Sequence, residues 1–419
     1  MTSTVVTATA PAAPHLGVGD RIRLWWETLP RPAQWGIGVP ALVLLAFLPV
    51  LRLPVLTTVG TDFGTVMAQF GMYALLAIGL NVVVGSAGLL DLGYVGFYAI
   101  GAYTVGLLTS PDSPWNQTTS WLPKQWGWLL AVPIAILITA ASGLILGSPT
   151  LRLRGDYLAI VTLGFGEIVR LLADNLDNIT GGGRGLSQIA YPQVARSATR
   201  PAGVFSAGNA TPPWNAGLWW YWASLALIVV ALLFVGNLER SRVGRAWVAI
   251  REDEDAAEIM GVPTFKFKLW AFVIGASIGG LSGAIYAGQV QFVAPTTFNV
   301  INSMLFLCAV IVGGQGNKLG VILGAFIIVY LPNFFLGRKS LFGVRINGDE
   351  IANYKYLFFG LALMTLMIFR PQGLFPARQK LLALGRGLYQ AARRATLALA
   401  AAPADVSAGH DQRAEGGAR

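Results

Sequence analysis

Ionisable side chains are scarce in this sequence, and the few inside apolar stretches draw attention first. Glu167 and Arg170 fall three residues apart in one such run, the spacing that puts opposite charges on one face of a helix. At membrane depth such a pair lines a polar pathway or holds its gate. At a membrane surface it is a structural ion pair, with Arg170 snorkelling to water. Asp91 lies beside another apolar run, where a carboxylate also serves as a helix cap. Asn81, Tyr157 and Thr162 complete the set of candidate pathway-lining residues. Asn81 reads first as a packing residue, and Asp156 with Tyr157 as a helix start.

Other kinds of chemistry lack their residues. The two histidines, His15 and His410, lie near the termini, and the single cysteine, Cys308, sits in an apolar run. No intrachain disulfide is possible, and no zinc or haem site is expected. There is no G-x-x-x-x-G-K-[S/T] phosphate loop; Gly316-Asn317-Lys318 lacks the Gly-Lys pair and the hydroxyl that would meet Mg²⁺. ATP hydrolysis by this chain is not expected. A K⁺-filter sequence and an Arg-rich voltage-sensing repeat are also missing.

The elements that must position these residues follow from composition. Of 419 residues, 54% are hydrophobic and only 12% charged, against about 25% charged in soluble domains. A bilayer solvates the excess apolar area. Fifty glycines suit close approach of membrane helices. The net charge of +10 is gathered in short loops, where basic residues set orientation, so nucleic acid is not an expected partner.

A spanning helix needs about 20 mostly apolar residues. Runs of that kind lie near 34–51, 64–84, 88–108, 127–147, 157–173, 217–236, 267–288, 298–313, 319–336 and 353–370. The eighth and ninth are parted only by a short Gly-rich turn. The expected fold class is all-α, a polytopic membrane helical bundle of about ten transmembrane helices with N and C termini cytoplasmic. Arg152 and Arg154, then Arg240, Arg242, Arg245, Arg251 and Lys266, then Arg378 and Lys380 all fall inside on this count. Arg338, Lys339 and Arg345 fall outside, against the rule. Trp115, Trp121, Trp126, Trp128, Trp214, Trp219 and Trp220 stand beside span ends, where amphipathic rings prefer the interface. Residues 1–33 lack a signal-peptide core and read as a cytoplasmic tail; 377–419 read as a poorly ordered one.

Leu238–Val262 is the most informative loop. Val243, Trp247 and Ile250 lie on one face of a helix. The acidic run Glu252, Asp253, Glu254 and Asp255 opens a second short helix, where negative charge suits the dipole. Gly261 is placed to cap that helix and Pro263 to stop it. A charged helix pair with a narrow apolar face, long for a loop, suits docking to another protein. Elsewhere Val84-Gly85-Ser86-Ala87-Gly88 and Val312-Gly313-Gly314-Gln315-Gly316 form a faint internal echo, and transporters are often built from repeats.

Asp255-Ala256-Ala257 followed by Gly261 resembles the EAA loop of ABC importer permeases, with Asp for the leading Glu and no Leu-Pro ending. Leu151-Arg152-Leu153-Arg154-Gly155-Asp156-Tyr157, running into Ala159–Ile168, looks like permeases of the branched-chain amino acid (LivM) type. So do Gly79-Leu80-Asn81, Gly85-Ser86-Ala87-Gly88, Thr180-Gly181-Gly182 and Phe369-Arg370-Pro371-Gln372-Gly373-Leu374. The resemblance runs from about 64 to 376, with the first span and both tails outside it; with that span included, a permease domain is expected over 34–376. The resemblance implies that Glu252, Asp253, Glu254, Asp255, Ala256, Ala257 and Gly261 meet an ATPase. It also implies a second permease chain of the LivH type, two cytoplasmic ATPase subunits holding ATP and Mg²⁺, and an extracytoplasmic substrate-binding protein, with no cofactor in this chain. The expected setting is the cytoplasmic membrane of a bacterium. Related permeases move urea and short amides. A stand-alone secondary transporter is the alternative from a different class, and a membrane scaffold a third.

Overall fold

Asp62 accepts the Thr65 N–H at 2.9 Å and so opens a helix whose following residues are almost all apolar. Helix α1, Phe63–Leu80, runs without a break into a π-helical turn at Asn81–Ser86. The wider turn shows in the bond from the Ala87 N–H to the Val82 carbonyl, 3.2 Å and five residues back. Such turns are rare and gather at functional sites. The computed structural model describes residues 40, 43–51, 58, 61–116, 126–153, 155–194, 203–206, 215–336, 340–341, 344–345, 350, 354–369 and 373. The tails at 1–33 and 377–419, Trp121, Trp214 and residues 34–39, 41 and 42 of the first expected span lie outside them.

The later helices are α2 (Val95–Thr109), α3 (Gly127–Thr150), α4 (Asp156–Asn175), α5 (Ala216–Arg240), α6 (Arg242–Glu252), α7 (Glu254–Ile259), α8 (Thr264–Val290), α9 (Val300–Gly313), α10 (Lys318–Phe335) and α11 (Lys355–Phe369). Residues 43–51 are helical as well. Asn215 and Asn299 cap α5 and α9 through side-chain bonds to Leu218 N and Asn302 N. Among the described residues five helices are long and apolar enough to cross a membrane: Phe63–Ser86, Gly127–Thr150, Ala216–Arg240, Thr264–Val290 and Lys318–Phe335. Three shorter ones are also apolar, starting at Val95, Val300 and Lys355.

Helix α8 forms the centre of one half, packed on α3, α2 and α1, while α1 continues to α5, α10 and α9. The α2–α8 crossing is made of small residues. A Cβ on Gly101 would fall 2.5 Å from the Gly280 Cα, and one on Gly283 2.7 Å from the Ala102 nitrogen. Backbones meet there because nothing stands between them, the packing mode that drives association where the solvent is lipid. Ser282 Oγ donates to the Met72 carbonyl at 2.8 Å and joins α8 to α1. A two-residue antiparallel pair, Leu186–Ser187 with Phe292–Val293, pins the segment after α4 to the end of α8.

Two expectations change. The third run does not become helical at 88, because α2 begins only at Val95. Side chains hold 88–94 out of helix: Asp91 Oδ1 accepts from Gly93 N, Thr162 Oγ1 accepts from Leu92 N, and Ser303 Oγ donates to the Leu92 carbonyl. Trp128 and Trp220 do not present their rings at the protein surface. They are buried and meet edge to face at 5.5 Å, in a slot that Gly288 leaves open. Their indoles donate to the Ala284 and Phe205 carbonyls, whereas Trp115 and Trp126 are exposed. The eighth and ninth runs are two helices, separated by the turn at 314–317.

Candidate functional site

The loop after α5 is a hairpin of two short helices. Ser241 caps α6 by accepting the Val243 N–H. Asp253 then ends α6 and caps α7, its Oδ1 accepting the Ala256 N–H at 3.0 Å, with Glu254 and Asp255 in the first turn of α7. At the far end the Val262 N–H reaches the Ala257 carbonyl and the Gly261 N–H the Glu258 carbonyl. That pattern needs a left-handed residue after the helix, and Gly261 supplies it at φ 83°.

The apolar stripe of α6 faces inward. Trp247 and Ile250 are buried, and the Trp247 indole N–H donates to the Phe267 carbonyl of α8 at 2.7 Å. Ala257 is buried too. Glu254 is half-buried and pairs with Lys268 of α8 at 2.5 Å. Glu252, Asp253, Asp255, Ala256 and Gly261 are exposed. The apolar side chains that do face outward are Ile259 and Met260, 86% and 83% exposed. They stand between the acidic run and the capping glycine, and that position was the signal available in the sequence. An amphipathic reading of α6 alone passes over it.

At the joint of α6 and α7 the hairpin is latched to the core. Arg251 Nη1 donates to the carbonyl of Gly85 in the π turn. Its side chain also lies over Gly88, where a Cβ would come within 2.9 Å of Arg251 Cγ. Partial burial lowers the pKa of this guanidinium, and Glu252 opposes the shift. Gly85 in turn meets the second glycine turn, its hypothetical Cβ falling 2.5 Å from the Gly316 nitrogen. The Gly316 N–H donates to Asn81 Oδ1 at 2.8 Å. Gly373, at φ 74°, packs on Gly314 from the other side. The two echoing motifs are therefore in contact, with a residue of the Phe369–Leu374 stretch against them.

The other candidates are spread differently. Glu167 and Arg170 form a bidentate ion pair through Nε and Nη2 on α4, partly exposed on both sides. Asn81 is drawn to Gly316 instead. Thr162 is buried and engaged, accepting from Leu92 N and donating to the Ala159 carbonyl. Tyr157, on the same helix, is exposed.

Comparison with known proteins gives the family. Residues 63–367 match the family described as branched-chain amino acid transport system / permease component. The chain is 41% identical over 325 residues to the high-affinity branched-chain amino acid transport system permease protein LivM of Salmonella typhimurium, covering 75% of this chain and 70% of that one. Against LivM of Escherichia coli K12 it is 40% identical over 368 residues, covering 85% and 80%. The LivH permease protein of Salmonella typhimurium matches at 26% over 258 residues, 61% of this chain and 79% of that one. No solved structure matches the chain. On the extent of the family match and the identity to two LivM proteins, the chain belongs to the branched-chain amino acid transport permease family, as a member of LivM type.

Proposed function

We propose that this chain is the membrane-spanning subunit of an ATP-driven importer that carries branched-chain amino acids through the cytoplasmic membrane. It works with a second permease chain of LivH type, two cytoplasmic ATPase subunits and an extracytoplasmic binding protein. The observation that carries the reading is the hairpin. Its inner face is bonded to α8 and to the π turn after α1, while the end of α7 offers Ile259 and Met260 and the first turn of α7 exposed acids. An apolar anchor ringed by charge suits a partner with a small hydrophobic socket and basic edges. LivM and LivH proteins both match this chain, which supports a core of two related permeases.

In this reading the chain crosses about ten times, with both termini and the hairpin in the cytoplasm. Five long helices and three shorter apolar ones account for most crossings; α4 and the stretch at 43–51 complete them. The permease domain is 34–376, between tails 1–33 and 377–419. Glu167 lies 11 residues along α4 from Asp156, about 16 Å at the helical rise, which is near the middle of a ~30 Å hydrocarbon layer. A partly exposed ion pair there belongs beside a polar pathway, because lipid solvates it poorly. Tyr157 stands at the inner mouth of that route, and Asn81 and Thr162 brace its walls.

The test is purification of the tagged chain in mild detergent, followed by reconstitution. Co-purifying phosphate-loop ATPases and a second permease, with leucine, isoleucine or valine uptake that needs ATP, support the reading. Uptake by the lone chain on an ion gradient refutes it. Uptake of urea or short amides in preference to amino acids would keep the machine and change the cargo.

A further inference from the structure

The hairpin is tied to the membrane helices in two directions. Trp247 and Glu254 bind it to α8, the helix into which it leads. Arg251 binds it to the π turn of α1, 166 residues away in sequence. The last carbonyls of a helix have no partner within it, and the Arg251 guanidinium supplies one at Gly85. From there the contacts continue through glycine backbone and the buried Asn81 side chain. Gly85 meets Gly316 backbone to backbone, Asn81 holds the Gly316 N–H, and the turn that contains Gly316 joins α9 to α10. Contacts between backbones do not repack as side chains do, so displacement of one turn is passed to the next.

We propose that Arg251 is the positioning residue that transmits movement of the hairpin to the crossing of the two glycine turns, and through it to α1, α9 and α10. This rests on the importer reading. Arg251 is engaged inward, on Gly85 and over Gly88, while Ile259 and Met260 at the far end of α7 are exposed. Loss of Arg251 disconnects ATP hydrolysis from import without dismantling the complex.

The experiment uses the reconstituted complex and reads amino acid taken up per ATP hydrolysed. Arg251→Met keeps an unbranched stem over Gly88 and removes the donor. The expected result is an intact complex that hydrolyses ATP, with uptake per ATP lowered about tenfold, the scale of coupling lost at a single relay position. Arg251→Lys, which restores one donor, recovers part of that ratio. Wild-type uptake per ATP in Arg251→Met overturns the proposal. So does a parallel fall of assembly, hydrolysis and uptake in both variants, which would make Arg251 merely structural. A wild-type complex without ATP-dependent uptake would instead overturn the importer reading and this proposal with it.

Discussion

Trp247 of the hairpin donates its indole N–H to the carbonyl of Phe267 at 2.7 Å, and its ring is completely buried. The carbonyl belongs to the first turn of α8, so this side chain, with the Glu254–Lys268 pair, sets the angle at which the hairpin leaves the membrane helices. Trp247→Phe retains most of the packing and leaves that bond unmade. The expected loss is about 1–2 kcal/mol. Trp247→Ala also opens a cavity, for about 3–5 kcal/mol in total. Thermal unfolding of the purified chain in detergent orders the three proteins, and equal midpoints would contradict the contact.

Ile259 and Met260 contribute little to the fold, being almost wholly exposed. Changing both to Asp leaves the melting temperature of the isolated chain near the wild-type value. Hot-spot residues are each worth roughly 2 kcal/mol or more at an interface, so retention of the ATPases on purification falls well over tenfold. Undiminished retention would contradict docking through Ile259 and Met260.

Ala257 and Gly261 separate packing from backbone conformation. Ala257 is buried, and Leu in its place must push α7 off its seat, at a cost of about 1–3 kcal/mol. A Cβ on Gly261 meets no atom within 4 Å, but its φ is 83°. Gly261→Ala therefore costs only about 1–2 kcal/mol of backbone strain. Import is expected to suffer far more from Ala257→Leu than from Gly261→Ala. The reverse order would show that the cap itself is the part the partner reads.

Gly101 faces backbone across the α2–α8 crossing, with the Gly280 Cα 2.5 Å from where a Cβ would sit. Gly101→Ala forces the two helices apart, for an expected loss of about 1–3 kcal/mol. The midpoint of thermal unfolding in detergent measures it. An unchanged midpoint would mean that the crossing is looser than described.

The sequence states plainly what depends on neighbours along the chain. Apolar runs mark the helices, Asp253 and Gly261 bracket α7, and the spacing of Glu167 and Arg170 gives their ion pair. It is silent where the outcome depends on distant neighbours. The stripe of Val243, Trp247 and Ile250 says that α6 has an apolar face, not that α8 covers it. Trp128 and Trp220 have the composition of an interfacial belt, and only the gap at Gly288 makes them core. Helix formation at 88–94 fails because Thr162 and Ser303, on other helices, take up the Leu92 peptide groups. The meeting of the two glycine motifs is of the same kind: their likeness is readable, their contact is not.

The bond between Asn81 and Gly316 joins residues 235 positions apart, which has a consequence for biosynthesis. At roughly 5–20 residues per second of translation, Asn81 waits on the order of tens of seconds before its partner exists. During that interval the amide lies in a newly inserted helix with no Gly316 to meet. The nascent chain must spend this time with α1 shielded by the insertion machinery or by other early helices, and the bundle closes around α1 only after Gly316 has been made.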